Sequence, residues 1–225
     1  MDKAPKIVRI CGALLNAYFP RLIADLNCQD EIILKMLSLE DKPNHLAEMV
    51  IDMDANRLRS VFPSVSTMDA VHTCFQEMSL DDLYFYAQGS YQMKYCASYA
   101  NDALRLNNNG IVFQCHDETA ELHFEPYGME VDEPLLLRAK LPSRHSENKI
   151  YTIYILLDYS KSGIERILEH FCNCIAGKRT VGCCSHILTI IWYATLGCTS
   201  NIRVPAANLA NFARRIILEP DFDSE

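Results

Sequence analysis

Between Phe171 and His186 the chain reads Phe-Cys-Asn-Cys-Ile-Ala-Gly-Lys-Arg-Thr-Val-Gly-Cys-Cys-Ser-His. Thiolates and imidazoles are the donors that zinc prefers, and a structural zinc takes four of them in a closed tetrahedron. Four can be drawn from this segment as Cys-x-Cys, a spacer and Cys-x-His: Cys172, Cys174, Cys184 and His186. Cys183 is an alternative to Cys184, but Cys184 keeps the Cys-x-His pairing. Isolated cysteines are commonly buried free thiols, yet this clustering favours one bound Zn2+ over that reading. Four protein ligands leave no open position for water, so the zinc is expected to be structural and the chain not an enzyme.

The elements around the cluster must bring two pairs of ligands to one ion. Cys172 and Cys174 are expected at a strand end, and Gly177 and Gly182 let the spacer reverse direction. Ser185 to Leu196 reads as an apolar helix stopped by Gly197. Cys184 and His186 then lie at its start, where the helix dipole favours a thiolate. Upstream, Ile111–Cys115, Ala120–Phe124, Leu135–Leu141 and Ile150–Asp158 read as strands, and Pro142 to Lys149 joins the last two as a hairpin. Ile164 to Phe171 fits helix or strand. Helical patterns cover Ile7–Leu26, Asp30–Leu39, Ala47–Arg59 and Tyr91–Leu104. Ser79 with Asp82 forms a helix-start signature, and Asn107 to Gly110 a turn. The tail Glu219–Glu225 is acidic and expected to be disordered.

The whole is expected to be α+β in two parts: residues 1–65, helical with a linker, and residues 66–225, a small mixed sheet and helix domain containing the cluster. With 225 residues and 49% hydrophobic content, either part could bury a core. The formal net charge of -8 gives no global attraction to nucleic acid or to anionic membranes. Apolar runs such as Ile187–Leu196 are too short to span a bilayer, and no export signal is seen. An intracellular protein is expected, and reduced thiols suit that compartment.

The cluster resembles a SWIM-type zinc finger. The match is closer to the C-terminal fingers of proteins derived from eukaryotic cut-and-paste DNA transposons, on Gly177, Arg179, Thr180, Val181, Gly182, Trp192 and Tyr193. Gly89 to Met93, Tyr99, Leu137, Arg138, Ala139 and Ser143 to His145 also resemble the segment that precedes such a finger. A second resemblance, over Ile7 to Asn16, is to the final helix of a DDE-type transposase endonuclease domain. The carboxylates of such an enzyme lie upstream of that helix, where this chain has only Met1 to Lys6. The resemblance implies a non-catalytic, nuclear recognition protein whose partner is DNA or another protein. It also leaves a nuclease or transposase component acting with a separate catalytic chain as a third reading.

Other residues carry weaker chemistry. Lys178 and Arg179, between the ligand pairs, are candidates for phosphate contact, with a solvated loop as the plainer reading. His116, His123 and His145 show no ligand spacing with Cys115. Tyr84-Phe85-Tyr86 with Tyr91, Tyr95 and Tyr99 could stack bases, but without interleaved cations packing is expected. No small-molecule substrate is evident.

Overall fold

The computed structural model describes residues 29–39, 42–58, 60–65, 68–76, 78–88, 90–106, 110–116, 121–146, 148–178 and 182–198. The helix expected over Ile7–Leu26, most of the turn from Asn107 and the acidic tail lie outside these residues.

A four-stranded antiparallel sheet positions everything else. Strands β1 (Val112–Cys115), β2 (Pro134–Pro142), β3 (Ile150–Asp158) and β4 (Ile167–Cys172) pair in sequence order as a meander. In register, Leu137 faces Ile155 and Ala139 faces Ile153 across β2 and β3, and Ile153 faces Cys172 across β3 and β4. Side chains alternate between faces along a strand. One face therefore carries Leu137, Ala139, Leu141, Ile153, Ile155 and Leu157, and the other Leu136, Arg138, Tyr154 and Leu156. Both faces are covered, so β3 from Ile153 to Leu157 is buried without a break. That is why β3 reads as a continuous apolar run and not as an alternating one.

The first face meets a helical layer: α3 (Met68–Cys74), α4 (Leu80–Ala87), α5 (Ser90–Leu106) and α6 (Ser185–Trp192). Two further helices precede these, α1 (Gln29–Leu39) and α2 (His45–Asp52). Ser79 caps α4: its hydroxyl accepts from the Asp82 amide and the Asp82 carboxylate accepts from the Ser79 amide. Helix α6 lies at the centre, with Ile187 to Trp192 all buried. Thr189 and Thr195 are tolerated there because their hydroxyls donate back to Ser185 O and Ile191 O. The last turn, Tyr193–Gly197, widens to a π-turn closed by Cys198 N–H donating to Tyr193 O.

The second face is covered by α2 and by Phe62, Phe124 and Met129. Several expectations are corrected here. The helix expected over Ala47–Arg59 begins at His45, capped by Asn44, and stops at Asp52; Asp54 then takes a positive φ of 45°. The stretch through Val65, expected as a linker flank, carries Phe62 into this core and bridges Ser64 to Gln114 of β1. Glu121 to Phe124 is not a strand. Its alternation drops Leu122 and Phe124 onto the second face from outside the ladder, and Pro126 then turns the chain through Glu125–Tyr127. Ile164 to Phe171 divides into a 3-10 turn, Gly163–Arg166, and strand β4.

Candidate metal centre

Strand β4 ends at Cys172, and Cys174 follows after one residue. A 3-10 turn, Ala176–Lys178, reverses the chain, and Cys184 takes the N-cap of α6 with an extended φ of -76° and ψ of 164°. His186 lies in the first turn. The donor atoms of Cys172, Cys174, Cys184 and His186 all lie within 4.8 Å of one another. His186 presents Nδ1, 3.8 Å from Cys172 Sγ and 3.9 Å from Cys184 Sγ. A tetrahedral zinc with bonds of about 2.3 Å to sulfur and about 2.0 Å to nitrogen separates its ligands by roughly 3.5–3.8 Å. The described residues therefore bring together a Cys3His set of the donor type zinc takes, close enough together to hold one ion.

Two glycines make the loop possible, for different reasons. A Cβ on Gly177 would lie 3.1 Å from Cys172 O and 3.2 Å from Cys174 Sγ, and its own N–H donates to that sulfur at 3.0 Å. Gly182 has φ +83°, and a Cβ there would lie 2.7 Å from the Gln88 side chain. Without a cation the Cys174 and Cys184 thiols hold their protons. A hydrogen bond to Cys184, followed by burial, pushes Cys174 up to about 12. A hydrogen bond to Cys172 is the first cause that pushes Cys184 up to about 12. A bound cation displaces these protons.

No family model, curated protein or solved structure matches this chain.

Cys183 is not part of the cluster. It is fully buried, and burial, with the neighbouring Cys184 next, pushes its thiol up. Of the two adjacent cysteines, Cys184 alone joins the clustered donors. The Lys178 side chain and all of Arg179 lie outside the described residues. The other histidines stay apart from the cluster: His116 is buried with its ring edge-on to Phe62, while His123 and His145 are exposed. Trp192 is buried in the core, and Tyr193 stacks on Phe113.

Several supporting residues escaped the sequence reading. The Tyr151 ring stacks on His186 at 4.0 Å, and Tyr99 meets the same imidazole edge-on at 5.4 Å. His170 joins three elements. Its Nδ1 accepts from the Tyr86 hydroxyl of α4, and its Nε2–H donates to Gly182 O at 3.2 Å. Burial, the first cause, lowers the His170 pKa. The only advance signal was its alternation with Cys172 on β4.

Among the described residues no helix is long and apolar enough to cross a membrane.

Proposed function

We propose that this chain is a zinc-binding, non-catalytic recognition protein, a SWIM-type finger module derived from a DNA transposon, with DNA or a protein as its partner. The observation that carries the reading is the convergence of Cys172, Cys174, Cys184 and His186 within 4.8 Å. The order of parts, strand, Cys-x-Cys, loop, Cys-x-His and apolar helix, resembles that of a SWIM finger. A closed four-ligand set leaves the ion no position at which to activate water, so its work is to hold the loop between β4 and α6. The transposon ancestry rests on the residue pattern alone, and a nuclear location follows from it.

Metal analysis tests the core of this reading. Protein purified without added zinc is expected to carry one equivalent, and folded protein holding less than about half an equivalent counts against it. The partner class is read from DNA affinity across a salt series. A steep fall with salt indicates phosphate contacts. Salt-independent or absent affinity, with protein capture that survives nuclease, indicates an adaptor. The net charge of -8 favours the adaptor reading. No magnesium- or manganese-dependent DNA cleavage is expected, and nicking that co-purifies with the folded chain would overturn the non-catalytic assignment.

A further inference from the structure

Helix α1 is apolar on two sides, and the described fold uses one of them. Ile32 is buried, and the Lys35 ammonium lies 4.1 Å over the Phe85 ring of α4, so the side carrying these two residues faces the helical layer. Ile33, Leu34, Met36 and Leu37 fall on the other side at the helical period and are 39–67% exposed. Single exposed apolar side chains are ordinary on a protein surface, but four within five consecutive residues make one contiguous patch. The one polar residue among them, Lys35, is turned to Phe85 and does not screen the patch. A helix that is apolar on all sides is one that is covered on all sides.

Size argues for an occupant tethered to α1 and against a second copy of the chain. Covering four side chains exposed to this degree removes on the order of 250 Å2 of apolar surface from water. A two-fold pair of such faces buries roughly 500 Å2, well short of the ~1,200 Å2 at which specific association begins. A segment already attached to the face loses little translational freedom on docking, so a small face suffices for it.

Such a segment stands next to α1 in the chain. The described residues begin at Gln29, the first residue of α1, so residues 1–28 enter at the end of this helix. Within them the helical pattern Ile7–Leu26 places Ile7, Cys11, Leu14, Tyr18 and Leu22 at spacings of three and four, which makes one apolar stripe. Only Asn27 and Cys28 separate that pattern from α1. Two residues are enough for an αα-hairpin, which returns one helix antiparallel along its neighbour. Charge agrees with docking. Residues 1–28 carry Lys3, Lys6, Arg9 and Arg21 against Asp2 and Asp25, in a chain of formal net charge -8, so the remainder attracts them.

We infer that the outer side of α1 is the docking face for the chain's own segment Ile7–Leu26. None of these residues is a metal ligand, so the inference is independent of the zinc reading.

Hydrogen exchange of the full, metal-assayed chain tests it, with light scattering to report mass. Leu34→Glu puts a charge on the face, and Leu14→Glu puts one on the segment. Leu34→Glu is expected to speed exchange across residues 7–26 by at least about tenfold, and Leu14→Glu to do the same across residues 29–39, with the sheet unchanged in both. Leu34→Gln, uncharged and similar in size, is expected to act in the same direction by a smaller factor, and it carries the test if Leu34→Glu does not fold. Free-peptide exchange rates across residues 7–26 of the parent would overturn the inference, as would unchanged rates across the partner element in the variants. A parent dimer that Leu34→Glu makes monomeric would overturn it too, because the face would then belong to a second copy.

Discussion

The rings of His186 and Tyr151 lie 4.0 Å apart and 27° from parallel. This stack joins a residue of the first turn of α6 to the β3 strand, and Tyr99 of α5 closes the other edge of the imidazole. An imidazole held in this way turns Nδ1 toward the sulfurs before any ion arrives. Losing the ring of Tyr151 removes an aromatic pair worth about 0.5–1.5 kcal/mol beyond its buried area. Tyr151→Leu is therefore expected to weaken zinc by up to about tenfold with the fold retained. Competition against a coloured chelator measures this. Unchanged affinity would mean that His186 is oriented by the helix alone.

Cys183 and Cys184 make opposite predictions although they are neighbours. Cys184 Sγ stands 3.9 Å from His186 Nδ1, whereas Cys183 is fully buried and is not among the four clustered donors. Cys184→Ser is expected to release most of the zinc. Cys183→Ser is expected to keep the zinc and to lose about 1–3 kcal/mol of stability, because a hydroxyl is buried where a thiol sat. Metal content and denaturant unfolding of the two variants separate these effects. Equal zinc loss from both would show that the ligand set is misassigned.

What was legible in the sequence was local. The Ser79–Asp82 cap, the hairpin from Pro142 to Lys149 and the four metal donors from Cys172 to His186 each fall within one short stretch of sequence, so spacing alone implies their geometry. What was not legible was made by distant partners. Arg138 interrupts the apolar run of β2, and Ala55, Leu58 and Gln114 build a buried seat for it. The Tyr86–His170 contact joins α4 to β4. Leu122 and Phe124 have the alternation of a strand and dock on the sheet instead of joining it. Period-2 patterning states which side chains share a face, not whether the backbone is in the ladder.

Alkaline pH should weaken the fold through Cys96. Burial in α5 pushes this thiol up from an ordinary 9.0 to about 12, and its Sγ–H donates to Met93 O at 3.1 Å. The protonated form is the one the fold favours. Its contribution is complete below the ordinary thiol value and is lost as pH rises from about 9 toward about 12. Burial also pushes Tyr99 up to about 12 and Cys115 up to about 11, so they act in the same window. Cys96→Ala is expected to reduce, not abolish, the fall in unfolding free energy between pH 9 and pH 11. Parallel curves for the parent and the variant would count against the assignment.

Chelation should disturb far more than the metal loop. Helix α6 begins at the ligands Cys184 and His186, and its residues Ile187, Leu188, Ile190 and Ile191 belong to the same core as α3, α4, α5 and the first face of the sheet. Ile175, at the start of the loop, is 69% exposed, so without an ion little apolar burial there offsets the entropy of fixing it. The start of α6 then loses its anchor at Cys184, and Tyr99 and Tyr151 lose the imidazole between them. Slackening α6 exposes partners on both sides, because it lies between α5 and the sheet. Hydrogen exchange with chelator is therefore expected to show lost protection in α6, α5 and the β4 end together. Helix α2 and the Phe62–Tyr154 side of the sheet form a separate apolar cluster and are expected to retain more protection. Loss confined to residues 173–184 would mean that the helical layer is self-sufficient and that the metal orders only its own loop.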